Sequence, residues 1–529
     1  MIARAIAGLA AAALLAAGAR ADDRPLGADA AAVRAHVAVL ADDALKGRAA
    51  GTPEYEKAAD YVIAQMAAAG LSPAGTNGDW RQPVTLVAAR ATGGEGSLLR
   101  GSRATRLVPG HDVALLPHWE MAERKTEGEV VFAGHGVIDP ARGVDDYRGL
   151  DVKGRIVAIL LGTPNGLEDD VAAHYGNRDV RAELAARNGA VGILFIEDAG
   201  REAFAATARA ATGPRVRWAP PAGGGAAPIP QLAVLGEAGA AKLFAGSPIA
   251  WAKVRAAERA RTALPTGALG RTARFRQLSE QARIASNNVV GRLAGSDPAL
   301  AGEHVVLTAH LDHVGVGEPV AGDAIHNGAV DNAIGVGAMI EVARRFQREG
   351  RRPRRSLLFV ALTAEEAGLL GSDYFANHPT VPREGLVANV NIDMPILTYA
   401  FQDIVAFGAG RSSIGPVLAR VAKAQGIAVT ADPQPEEAFF VRSDHYSFVR
   451  AGIPSVAIDT GPAGPGAAAT AVFLERHYHQ PSDEIGLPID WDAADRFVML
   501  HHALVAELAD GPRPKWNAGD YFGTVYGRQ

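Results

Sequence analysis

From Asn287 onward the chain alternates short apolar β-branched runs with amphipathic stretches, and this rhythm constrains its fold more than any other feature. Strands are expected at 304–309, 356–362, 386–392, 403–407 and 455–458, and helices at 333–348, 415–425 and 492–508. Strand and helix in alternation imply an α/β layer: a mostly parallel mixed sheet flanked by helices. Such sheets gather their sites beyond the carboxyl ends of the strands. His310, Glu365, Glu366 and Asp393 each stand just past a predicted strand, and Asp331 just before a helix.

Those residues sit in recognisable phrases: Thr308-Ala309-His310-Leu311-Asp312-His313, Ala329-Val330-Asp331-Asn332-Ala333, Thr363-Ala364-Glu365-Glu366-Ala367-Gly368, Asn391-Ile392-Asp393-Met394 and Tyr478-His479-Gln480-Pro481-Ser482-Asp483. A lone Asp or Glu at a strand end is ordinarily a cap or turn residue, and a lone His an ordinary hydrogen-bonded side chain. Two imidazoles and three carboxylates in one order are a donor set for two zinc ions sharing one carboxylate. His313 and His326 are not read as ligands.

The rest of the chain is read more coarsely. Apolar spacing predicts helices over 30–40 and 53–69, the second stopped by Gly70. Between about 107 and 249 the pattern changes. Strand-like runs are expected at 129–132, 155–161 and 190–196, with a helix over 180–188. An exposed loop is read over 212–230, and the Ala/Arg-rich stretch after it reads as linker. Residues 1–21 have the form of an export signal, with Arg4, an apolar run over 5–17 and the small-x-small site Ala19-Arg20-Ala21. Exported placement, periplasmic or secreted, is therefore expected, with no stable membrane anchor after the signal is removed. The absence of cysteine excludes disulfides. A net charge of −5 without a dense basic stripe gives no nucleic-acid signature. No Gly-x-Ser-x-Gly elbow suggests a serine hydrolase.

Together these phrases resemble peptidase family M28, the secreted aminopeptidases with cocatalytic zinc, here with an inserted protease-associated domain. Leu45-Lys46-Gly47-Arg48-Ala49-Ala50-Gly51-Thr52-Pro53-Glu54-Tyr55 resembles the family's lead-in. Val131 to Val137 and Asp145 to Gly154 resemble the inserted domain. The resemblance implies a peptidase domain begun by 22–106, interrupted by the insert at 107–265, resumed over 266–510 and followed by a tail at 511–529. It implies two Zn2+ per chain, with Asp331 bridging, His310 and Asp393 completing one site, and Glu366 and His479 the other. Glu365 would be the general base, and Asp312 would hydrogen-bond the back of His310. Asp444, His445 and Tyr446 fit a phrase near the substrate pocket.

The implied substrates are peptides with a free amino terminus. Carboxypeptidase or dipeptidase action on the same fold remains open, since it needs a cationic clamp and Arg411 or Arg442 is available. A non-catalytic peptide-binding relative is the remaining alternative.

Overall fold

The computed structural model describes residues 26–198, 200–220 and 229–527. The export signal read at 1–21 lies outside them. Among the described residues no helix is long and apolar enough to cross a membrane.

The central strand His304–His310 runs parallel to Ser356–Leu362 on one side and Leu386–Asn391 on the other. All three are fully buried, as unbroken apolar runs covered on both faces should be. Ser455–Thr460 continues the sheet in parallel, and Asp403–Phe407 joins it antiparallel. Register decides what meets at the edge. His310 pairs with Leu362 and Thr308 with Asn391, so Glu365, Glu366 and Asp393 leave their strands at the level of His310. Helices Ala28–Leu40, Pro53–Ala68, Ile334–Arg348 and Trp491–Asp510 contribute to the main core beside these strands.

The amino-terminal phrase is a turn and a cap. Gly47 has φ +65°, and a Cβ there would lie 2.2 Å from the His326 carbonyl oxygen, so glycine is required. Thr52 then accepts the amide of Tyr55 at 3.2 Å, with Pro53 at the first helical position, a standard helix start.

Two expectations are corrected. The Ala/Arg-rich stretch read as linker is ordered. It forms strand Gln231–Leu235, helices Glu237–Phe244 and Trp251–Arg259, and the 27-residue strand Gly267–Leu293. That long strand pairs with Arg81–Arg100 and joins the peptidase strands to those of the insert in one continuous sheet. The region read as loop at 212–230 contains strand Arg215–Trp218, laid antiparallel on Arg81–Arg100; residues 221–228 lie outside the described residues.

The insert has its own apolar clusters, and one of them draws in Leu98, Ala273 and Phe275 from the two long strands. The carboxyl-terminal segment is not loose. Tyr521 and Phe522 are buried against Tyr175 of the insert and Phe440 of the peptidase half.

Candidate metal centre

The five sequence-predicted donors converge, and Asp331 stands between two groups. His310 Nε2 lies 3.0 Å from Asp393 Oδ1 and 3.2 Å from Asp331 Oδ1. His479 Nε2 lies 3.0 Å from Glu366 Oε2 and 3.3 Å from the other Asp331 oxygen, Oδ2. Each oxygen of one carboxylate thus faces a separate imidazole–carboxylate pair. Donor atoms of His310, Asp331 and Glu366 all lie within 4.8 Å of one another, close enough to share a metal ion.

Neighbouring groups hold these side chains in place. Asp331 sits in the short turn Ala329–Ala333 that opens the helix Ile334–Arg348. Asp483 accepts the amides of Val330 at 2.9 Å and Asp331 at 3.0 Å. Arg48, wholly buried, donates to the carbonyls of Leu311 (2.7 Å), Leu40 (3.0 Å), Gly328 (2.7 Å) and Asn327. Ser443 donates to Asp393 and is itself bonded by Asn391 Nδ2 at 2.7 Å. His313 Nδ1 lies 2.7 Å from Glu366 Oε1, leaving Oε2 toward His479.

Sequence reasoning did not give Arg48, Ser443 or Asp483 a role, though all three lie inside phrases it quoted. His313 was set aside as a ligand, and here it orients one.

Asp312 needs a correction of detail. His310 Nδ1 meets the main-chain oxygen of Asp312 at 3.0 Å, not its carboxylate. The carboxylate accepts the amides of Glu365 at 3.1 Å and Glu366 at 3.4 Å, and so fixes the loop bearing both glutamates.

The trio near the expected substrate pocket is also corrected. Asp444 and His445 are fully buried. The Tyr446 hydroxyl is tied to His174 Nδ1 of the insert, so it is already engaged away from the donor cluster. The aromatic ring at the cluster is Tyr478, stacked on His479 at 3.9 Å. Arg411 is taken up by Asp170 and Asp520, whereas Arg442 lines the site and pairs with Glu437 at 3.5 Å.

The electrostatics call for cations. Asp312, Asp331, Glu365, Glu366, Asp393 and Asp444 crowd one region beside three imidazoles and Arg48. Burial lowers the His310 pKa, but Asp393, Glu365 and Asp331 outweigh it and hold the ring well above its ordinary value. Burial likewise opposes protonation of His479, yet Asp331 and Glu366 push it up to about 10. Glu365 is raised well above a normal carboxyl by burial and by Asp393 and Asp444. Clustered buried carboxylates are costly unless paired or bound to metal. Imidazole and carboxylate donors of this kind fit zinc.

Two cavities open on the cluster. One, of about 350 Å3, reaches from Asp331, Glu365 and Asp393 to a mostly apolar wall including Val405, Phe407, Phe439 and Leu474. The other, of about 1100 Å3, begins at Glu365, Glu366 and His479 and runs between the insert and the peptidase half.

Residues 288–505 match the family model described as peptidase family M28. This segment is an M28 peptidase domain. The M28 segment contains all five donors and Glu365, while Arg48 and the insert lie outside it. The chain is 27% identical over 210 residues to leupeptin-inactivating enzyme 1 of Streptomyces exfoliatus, covering 37% of this chain and 43% of that protein. It is 27% identical over 220 residues to the probable leucine aminopeptidase 2 of Aspergillus oryzae, covering 39% and 42%. A vacuolar membrane protease of Lachancea thermotolerans is 34% identical over 119 residues, covering 22% of this chain and 11% of its own length. The chain therefore spans less than half the length of each of these relatives. Among solved structures, an aminopeptidase from Aneurinibacillus sp. strain AM-1 aligns over 91% of this chain and 93% of its own, with a TM-score of 0.46 and 17% identity.

Proposed function

We propose that the protein is a zinc-dependent aminopeptidase that hydrolyses the first peptide bond of peptides with a free amino terminus. The observation that carries this reading is the placement of the two Asp331 oxygens, one toward His310 and Asp393 and the other toward His479 and Glu366. His310, Asp393 and Asp331 would hold one zinc, and His479, Glu366 and Asp331 a second. Bound there, paired zinc supplies Lewis-acid polarisation and lowers the pKa of water.

The chain's own residues do the rest. Glu365 lies between the two cavities and is not needed as a ligand, so it is free to take a proton from the attacking water and pass it to the leaving nitrogen. Its raised pKa, driven first by burial, suits a group that must both accept and return that proton. Asp312 keeps the Glu365 amide fixed, so the base is positioned by the main chain.

Direction follows from charge. Asp331, Glu365, Asp393 and Asp459 border the smaller cavity, and its one lining cation, Arg442, is paired with Glu437. That end suits an ammonium and repels a carboxylate. Its apolar wall suits a leucine, methionine or phenylalanine side chain.

The protease-associated character of the insert and export through residues 1–21 belong to the same proposal. They are supported by the phrases at 131–137 and 145–154 and by the signal-like segment.

Turnover of leucine arylamide against glutamyl and amino-acetylated arylamides tests the reading. Leucine should be cleaved well and the acetylated form hardly at all. Equal cleavage of the acetylated form would overturn the reading.

A further inference from the structure

The larger cleft has a basic far wall. Strand Arg215–Trp218 alternates, as any strand does, between its two faces. Val216 and Trp218 pack toward Val84, Leu86, Ala364 and Leu370, and the Trp218 indole donates to Asp373 Oδ2 at 2.7 Å. The opposite face carries Arg215 and Arg217, whose guanidinium carbons lie 5.5 and 4.9 Å from the ring centre of Trp119. Arg178 completes the wall from the start of the helix Arg178–Arg187, its guanidinium 5.8 Å from the Phe195 ring.

Most other charges lining this cleft away from the donors have partners. Arg450 pairs with Glu183 at 2.7 Å, Arg442 with Glu437 at 3.5 Å, and Arg217 with Glu120 at 3.4 Å. Asp179 accepts from Gln231. Among the described residues, Arg178 and Arg215 lie within salt-bridge distance of no carboxylate. Asp179 and Glu197 act on Arg178 only through longer-range attraction, and Arg215 repels it. Two half-buried guanidinium groups side by side, stacked on aromatic rings and without a counter-ion, form an anion site. The planar fork of arginine favours carboxylate in particular.

We propose that Arg178 and Arg215, assisted by Arg217, form a carboxylate-binding subsite of the insert that recognises a negative charge on the leaving-group side of the substrate, foremost the terminal carboxylate of a short peptide. The inference rests on the aminopeptidase reading above. The amine end of the substrate sits in the acidic cavity, the scissile bond at the donor cluster, and the remaining residues extend into the cleft toward the arginines. The insert thereby selects for short free peptides while contributing no group to the chemistry.

The test compares Leu-Gly-Gly as free acid and as carboxyl-terminal amide, Leu-Gly-Glu amide, and leucine 4-nitroanilide, using wild type and Arg178→Gln/Arg215→Gln. Wild type should prefer the free acid over its amide by about tenfold in kcat/KM, mainly through KM, as a charge-assisted contact implies. The double variant should lose that preference and turn over the nitroanilide, which has no carboxylate, as wild type does. A preference that follows the glutamate side chain in the blocked peptide supports the same subsite with a side-chain carboxylate as its ligand. Equal wild-type rates for the free acid and both amides overturn the proposal even if the variant fails to fold, and so does a preference retained in a folded variant. Absence of nitroanilide turnover by wild type would instead count against the aminopeptidase reading. The subsite is then judged by whether wild type binds the free acid more tightly than the amide; equal affinities overturn it.

Discussion

Arg48 lies beneath Asp331, joined to it through the turn they share. Its guanidinium donates at 2.7 Å to the carbonyl of Gly328 and at 3.4 Å to that of Asp331. Its other nitrogens hold Asn327 and Leu311, which flank the two donor segments on either side. A residue from the amino-terminal phrase thus fixes where the central carboxylate of the site stands.

This arrangement predicts that Arg48→Met strands several buried carbonyl oxygens. The variant should lose at least about 3 kcal/mol of stability. It should also bind zinc more weakly than a surface Arg→Met control. Thermal unfolding and zinc retention through dialysis measure the two effects, and wild-type values for both would show that Arg48 does not position the site.

The adjacent glutamates should separate cleanly. Glu366 faces His479 and His313, so Glu366→Gln should lower zinc occupancy. Glu365→Gln should keep occupancy near normal and cut kcat by roughly 100-fold or more, as expected for a lost general base. Zinc loss following Glu365→Gln would reverse the two assignments.

How far the sequence revealed this site depended on where each residue sat. The five donors were readable because parallel strands in register carry whatever follows them to one edge, as His310, Glu365, Glu366 and Asp393 show. Strands 356–362 and 403–407 were read to the residue because their apolar runs are short and sharply bounded. The strand Gly267–Leu293 was missed. It is rich in Ala, Gly and Arg, and its middle is partly exposed on a two-stranded ribbon, so no steady alternation marks it. Tyr446 was misplaced for a different reason. A phrase fixes neighbours along the chain, but which of them faces the cleft depends on packing, here on His174 lying 272 residues away in sequence.

Amino-terminal acetylation of Leu-Gly-Gly should reduce kcat/KM by at least about 100-fold. It removes the ammonium that Asp393 and Glu365 attract and adds bulk at the acidic end of the smaller cavity. Cleavage of the acetylated peptide at its carboxyl-terminal bond would favour the carboxypeptidase alternative, with the insert arginines as its clamp.

Acid should weaken the fold before it reaches ordinary carboxylate values. Burial holds His501 and His304 each at a pKa of about 4, so both are neutral in the folded chain. In the unfolded chain they protonate near pH 6.5. Their contribution is therefore complete above about pH 6.5 and is lost as pH falls toward 4, by up to about 3 kcal/mol for His501. His501→Phe should make the decline of Tm between those values shallower. An unchanged slope would show that His501 does not titrate with unfolding.

The most direct measurement of the central claim is zinc titration of metal-free protein, following leucine arylamide turnover against zinc bound per chain. With Asp331 shared between two imidazole–carboxylate pairs, activity should reach its plateau at about two zinc ions per chain. Asp331→Ala should weaken both binding steps together. A plateau of full activity at one zinc per chain, or an Asp331→Ala protein that loses a single site and keeps the other intact, would contradict the paired centre.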